Sequence, residues 1–333
     1  MTYLNHPYWL YGIWEMHELD MPRLVGEILN CVVYLYPSVD AAQSSKNTGG
    51  SGFIVGVVSK VNPSKFTPYV VTNAHVINGK NLTIRINNKD GTMSCIATSD
   101  KDWVRSKDSD IAVALLSDET NGLDQKKHKI DFFVSDIMFA DKKTVEEDDI
   151  GVGDDTFIVG RFQLADGKRQ NTPTLRWGTI AQMPLEEITV NKQQSKVYLV
   201  ECHSISGFSG SPVFVYIDRG TIRPKSEYIS PGEMNAYFLG VDCGHLPLTE
   251  RVKERRLVGI NEFKYEDWFN SKDLKVAANS AMMAVAPAWK LRELLDTKEF
   301  VLAREQGDDE MQQEVGQTPD DERVIPGSLP LRA

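Results

Sequence analysis

The chain has 333 residues, 41% of them hydrophobic and 25% charged, and a net charge of −10. That balance is soluble and globular, with length enough for a large core and more than one lobe. An acidic chain repels phosphate backbones, and no apolar run of about 18 residues is present to span a bilayer, so neither nucleic acid nor a membrane is an expected partner.

The first segment, residues 1–24, is rich in aromatics (Tyr3, Tyr8, Trp9, Tyr11, Trp14) and has no clear period. It lacks a basic start followed by a clean apolar run, so it does not read as a signal peptide. It is expected to pack onto the main body, with a partner-docking arm as the alternative. Cys31, Cys95, Cys202 and Cys243 are far apart and form no C-x-x-C pair. They are too few for a disulfide scaffold at this length, and the expected location is a reducing cytoplasm.

From residue 25 the pattern turns to short β-like runs separated by turn signals. The runs are 27–36, 48–59, 69–77, 81–88, 93–98 and 110–116. Lys89-Asp90-Gly91 suits a hairpin between the fourth and fifth. Residues 117–149 are polar apart from an apolar island at 132–139 and read as a connector, closing a first unit of 25–149. A second series follows at 154–162, 174–183, 196–204, 211–217, 236–244 and 281–287. Pro287 then starts a predicted amphipathic helix to residue 305, with Leu291, Leu294, Leu295, Val301 and Leu302 on its apolar face. That helix closes a second unit of 150–305, and the acidic, aperiodic tail 306–333 is expected to be disordered. The layout is all-β, two lobes of about six strands with a C-terminal helix. A cleft between such lobes is where ligand sites form.

Three places carry chemistry. In Gly207-Phe208-Ser209-Gly210-Ser211-Pro212, glycines flank a serine on a tight turn between apolar runs. The N–H groups of Gly207 and Ser209 are candidates for an oxyanion hole. His75 follows a strand that ends in Thr72-Asn73. Asp110 stands at the edge of the apolar run Ile111–Leu116, where a carboxylate needs a partner, and an imidazole N–H is a suitable one. Serine, base and orienting acid are what acyl transfer to a hydroxyl requires. They occur in the order His, Asp, Ser, the first two in the front lobe and the third in the back lobe. As a general base His75 acts in its neutral form, so activity is expected to rise with pH through imidazole titration.

In these motifs the chain resembles the trypsin-like serine peptidases, and most of all their bacterial HtrA/DegP-like branch. The likeness is carried by Gly50-Ser51-Gly52-Phe53, Thr72-Asn73-Ala74-His75-Val76, Asp110-Ile111-Ala112 and the Ser209 turn. Val152-Gly153-Asp154-Asp155 and Gly178-Thr179-Ile180 add to it, over roughly residues 25–296. The resemblance implies two six-stranded antiparallel β-barrels and hydrolysis of peptide bonds in a protein or peptide substrate, with catalytic His75, Asp110 and Ser209. It also implies that the residue six before the nucleophile, His203, lies at the base of the substrate pocket. Phe208 departs from the family's Asp or Asn and cannot pair with a new N-terminus made by cleavage. No PDZ module is expected after the peptidase part.

The strand Leu239–His245 is expected to line the pocket, which makes Asp242, Cys243 and Gly244 pocket candidates; Leu257–Asn261 is a rival for that strand. On the first choice, 246–278 is an insertion beside the cleft that could gate access. Cys202, His203, Cys243 and His245 invite a metal-site reading. Neighbours in a strand point to opposite faces, however, so Cys202 and His203 do not easily share one ion. Buried free thiols explain the cysteines, and no metal or cofactor is expected. The alternative to an active enzyme is a silent or latent module that binds protein partners and is switched on by a signal or regulatory partner.

Overall fold

The computed structural model describes residues 4–5, 26–47, 49–116, 122–202, 207–217, 236–251 and 275–316. The first lobe is built from β1 (Leu4–Asn5), β2 (Val32–Tyr36), β3 (Gly50–Val58), β4 (Lys65–Thr72), β5 (Thr83–Asn87), β6 (Met93–Ala97), β7 (Trp103–Arg105), β8 (Ala112–Leu115) and β9 (Val134–Ser135). They form one nine-stranded sheet in the order β6-β5-β2-β3-β4-β8-β7, with β1 added at β4 and β9 at β3. In the second lobe β10 (Asp155–Gly160), β11 (Thr174–Gln182), β14 (Tyr198–Glu201), β15 (Pro212–Tyr216), β16 (Ala236–Arg251) and β17 (Lys275–Pro287) close a barrel. A separate hairpin, β12 (Glu187–Val190) and β13 (Gln193–Lys196), stands outside it.

Of the two closed barrels expected, one is present; among the described residues the strands of the other lobe form a sheet whose end strands, β6 and β7, are not paired with each other. The sheet ends at β6 and β7, which are consecutive in the chain. The turn between them satisfies its polar groups locally: Asp102 accepts the Ser99 N–H, and the Trp103 indole donates to Thr98 Oγ1 at 2.9 Å.

Strands β2, β3 and β4 are buried on nearly every residue. Successive side chains in a strand point to opposite faces. Val33, Leu35, Ile54 and Val70 pack inside the first lobe with Ile84, Ile86 and Trp103. Val32, Tyr34, Phe53, Tyr69 and Val71 point the other way, into a cluster shared with Phe157, Phe214, Phe238 and Val241 of the second lobe. The rings of Phe53 and Phe238 meet across this boundary at 5.4 Å. The lobe interface is therefore itself a core. The barrel interior is a third cluster, including Ile158, Val200, Phe208, Val213, Leu239 and Val285.

Arg85, on β5, crosses the same boundary. It is fully buried, and no carboxylate among the described residues forms an ion pair with it. Its Nε donates to Asn171 Oδ1 at 2.7 Å, Nη1 to Ala42 O at 3.0 Å and Ser45 Oγ at 2.6 Å, and Nη2 to Gly167 O at 3.0 Å. The guanidinium also lies 4.8 Å from the Tyr36 ring centroid. Arg85→Ala removes these bonds, strands their acceptors and leaves a void, so it is expected to cost about 3–5 kcal/mol of stability in urea unfolding. A loss below about 1 kcal/mol would show that water replaces the guanidinium at no penalty.

Three short helices complete the frame: α1 (Val39–Ser44), α2 (Ala74–Ile77) and α3 (Lys142–Glu147). Ser38 caps α1 by accepting from Ala41 N, and Asp141 caps α3 by accepting from Thr144 N. The single C-terminal helix expected over 287–305 is two: α4 (Ala288–Leu295) and α5 (Lys298–Gly316). Helix α5 runs into the stretch read as a disordered tail. It is held there by Phe300 against Tyr69, with ring centroids 5.1 Å apart, and by Ser59 Oγ donating to buried Asp308 at 2.6 Å. Residues 317–333 lie outside the described residues.

The stretch 246–278, read as an insertion, begins and ends as ladder, with Pro247 opposite Asn279 and Arg251 opposite Lys275. The rest of it, including the rival strand Leu257–Asn261, lies outside the described residues, as does the aromatic segment 1–24 apart from Leu4–Asn5. No helix among the described residues is long and apolar enough to cross a membrane.

Candidate active site

His75 and Asp110 leave the first sheet at the same end. Strand β4 pairs with β8, and the last pair is Thr72 with Ala112. Beyond that pair the chain turns into α2 on one side and reaches Asp110 on the other. Asn73 Nδ2 donates to Asp110 O at 2.8 Å, and His75 N donates to Asp110 Oδ1 at 3.0 Å. His75 Nδ1 lies 2.5 Å from Asp110 Oδ2, with the His side chain 39% exposed and the Asp side chain 9%. The carboxylate accepts, so Nδ1 carries the proton and Nε2 presents its lone pair.

Ser209 is brought from the second lobe by a bonded turn. Ser51 N, on β3, donates to Ser209 O at 3.0 Å. Ser51 Oγ donates to Gly207 O at 2.8 Å and accepts from Arg161 N at 3.0 Å. Ser51 follows from register: Phe53 lies opposite Val71, so residue 51 sits beside Asn73, where the His75 turn begins. Both glycines of the turn have positive φ, +107° at Gly207 and +86° at Gly210. A Cβ at Gly210 would stand 2.3 Å from Ser51 O, so glycine is required there by sterics as well as by φ. Phe208 turns away into the barrel core, fully buried, with the Arg176 guanidinium 5.1 Å from its ring centroid. Among the described residues, no hydrogen bond joins Ser209 Oγ to His75.

Three pocket candidates lie beside this turn. Asp242 is fully buried, and its Oδ1 accepts from Gly244 N at 2.6 Å. Its backbone holds the Ser209 turn, with Gly210 N donating to Asp242 O and Asp242 N to Ser211 O, each at 2.9 Å. A Cβ on Gly244 would stand 3.5 Å from Ser209 Oγ, which places this residue next to the hydroxyl. Burial pushes the Cys243 thiol well above its ordinary value, and the charges of Asp110 and Asp242 push it further. Cys202 is raised to about 11, mainly by burial. Both sulfurs are therefore neutral thiols near neutral pH. His203 lies outside the described residues.

Two contributors carried no signal of this role in the sequence reading. Ser51 stands between two glycines, a pattern that points to a turn and not to a clamp. Asn191, at the tip of the β12–β13 hairpin, lies in a stretch with no catalytic pattern, yet its Nδ2 donates to Asp110 Oδ2 at 2.8 Å.

No protein-family model and no curated protein matches the chain. Among solved structures, the chain is similar to the MamO protease domain from Magnetospirillum magneticum, with 12% identity over 80% of this chain and 97% of that one and a TM-score of 0.41. It is similar to Deg5, with 19% identity over 65% of this chain and 80% of that one and a TM-score of 0.37. A third similar structure is the inactive form of the Rv3671c protease, with 17% identity over 80% of this chain and 88% of that one and a TM-score of 0.38.

Proposed function

We propose that the chain is a serine endopeptidase of trypsin-like type, with Ser209 as nucleophile, His75 as general base and Asp110 as the group that orients it. The observation that carries the reading is the His75–Asp110 pair, 2.5 Å from Nδ1 to Oδ2, facing the clamped Ser209 turn across the lobe boundary. In this mechanism Nε2 of His75 takes the Ser209 proton as Oγ attacks the peptide carbonyl. The N–H groups of Gly207 and Ser209 receive the developing oxyanion. The imidazolium returns its proton to the amine, which leaves. Water then cleaves the acyl-enzyme by the same sequence, and no metal or cofactor takes part. The substrate is a protein or peptide strand in the cleft.

The missing hydrogen bond from Ser209 Oγ to His75 favours a second reading, a latent form that closes this contact when substrate or a regulatory partner arrives. Catalytic contacts often tighten only with substrate bound. A fluorophosphonate probe followed by peptide mapping tests both. Labelling at Ser209 by the chain alone supports the active enzyme. Labelling that needs an added protein or peptide supports latency. Absence of labelling under every condition, with His75 and Asp110 intact, leaves a binding module and ends the peptidase reading.

A further inference from the structure

The β12–β13 hairpin lies outside the barrel, and its tip touches the other lobe. Asn191 and Lys192 form the tip with φ of +48° and +69°, and Val190 stands opposite Gln193. Two left-handed residues in a row are what a two-residue I′ turn requires. The hairpin is fastened to the loop that leads into Asp110. Gln193 Nε2 donates to Lys107 O, and Ser195 Oγ donates to Asp108 O, both at 3.1 Å.

From this tip Asn191 reaches both halves of the candidate site. Its Nδ2 donates to Asp110 Oδ2 at 2.8 Å and to Cys243 O at 2.9 Å. Both partners are pure acceptors, so the amide must present its nitrogen, and its two protons are then fully used. The approach of Nδ2 to His75 Nδ1, at 3.3 Å, is consequently a packing contact between two donors. Among the described residues three hydrogen bonds reach the Asp110 carboxylate: Oδ1 takes the His75 N–H, and Oδ2 takes the Nδ1 proton and one from Asn191. Without Asn191, Oδ2 keeps the imidazole alone, and the carbonyl of Cys243 loses its cross-lobe partner.

We propose that Asn191 is a positioning residue for the peptidase reaction, fixing the Asp110 carboxylate, and through it the His75 ring, against the strand segment that borders Ser209. The proposal rests on the peptidase reading above. Its logic is geometric. His75 and Asp110 belong to one lobe and Ser209 to the other. The Asn191 carboxamide bonds the first pair to Cys243 O, one residue before the Gly244 that adjoins Ser209 Oγ. A displacement of about 1 Å in such a constellation can cost about 100-fold in rate.

The test is Asn191→Gly beside Lys192→Gly in the full chain. Glycine adopts the left-handed turn freely, so the first change removes the carboxamide while keeping the hairpin. Asn191→Gly is expected to lower kcat about 10- to 100-fold with KM within about twofold. Lys192→Gly is expected to keep wild-type kcat.

A second arm needs no turnover. In a Ser209→Ala background, the His75 Nδ1 proton resonance is expected to broaden or vanish on adding Asn191→Gly and to persist on adding Lys192→Gly. An inactive wild type with the resonance lost only in Asn191→Gly would defeat the peptidase reading while supporting the positional role. An active wild type whose kcat and His75 resonance survive Asn191→Gly would overturn this proposal alone. So would an equal loss in Lys192→Gly, a change confined to KM, or a rise in kcat, which would make the carboxamide an obstruction in the cleft.

Discussion

Replacing Ser209 with alanine is expected to lower kcat for peptide hydrolysis by about 10⁶-fold. The substitution removes one oxygen and little else. The turn should survive, because its attachment runs through backbone: Ser51 N still donates to the residue 209 carbonyl, and Gly210 N still donates to Asp242 O. Substrate affinity should change little for the same reason. What disappears is the atom proposed to form the acyl bond. His75 is left with only water to activate, and a residual acceleration of about 10³–10⁴ over water remains from binding and oxyanion donors. The measurement is steady-state hydrolysis of a casein-derived peptide, with unfolding curves of both proteins as the control. A variant within tenfold of wild type would remove Ser209 from the mechanism.

Asp110→Asn is the second large effect, an expected drop of about 10⁴-fold in kcat with the fold retained. Each carboxylate oxygen accepts a bond, Oδ1 from the His75 backbone N–H at 3.0 Å and Oδ2 from Nδ1 at 2.5 Å and Asn191 at 2.8 Å. An amide has one oxygen and one NH₂ group. Whichever way it is turned, a donor faces a donor. If NH₂ meets Nδ1, the imidazole must move its proton to Nε2 and loses the lone pair it needs for Ser209. If NH₂ meets the backbone N–H, two donors are opposed in a site only 9% exposed on the Asp side chain. Measuring kcat beside the imidazole ¹⁵N shifts separates tautomer change from displacement. Retention of a tenth of wild-type kcat would show that the Asp110 charge is not needed.

His75 and Asp110 were legible because each sits at a strand end inside a short local pattern, and register alone then brings them together: Thr72 pairs with Ala112. Ser209 was legible from its glycines, which the turn uses at positive φ. The unpaired ends of the first lobe's described sheet were not, because closure depends on whether two edge strands meet, which no local run of residues records. The run of helix past residue 305 was hidden by its acidity; the contact of buried Asp308 with Ser59 works against what composition implies. Asn191 was invisible for a different reason. Its partners lie 81 and 52 residues away, at Asp110 and Cys243, and no local pattern records such a contact.

The shared aromatic boundary has a consequence for how the molecule comes apart. Phe53 and Tyr69 from one half and Phe214 and Phe238 from the other belong to the same buried cluster. Neither half can melt without baring that cluster to water, so calorimetry is expected to record one endotherm in which both halves participate. A protein severed in the connector should yield pieces that precipitate when separated and regain solubility when mixed. The proposed catalytic geometry and thermal cooperativity then share one seam, and heating should abolish turnover at the temperature where the near-ultraviolet aromatic signal is lost.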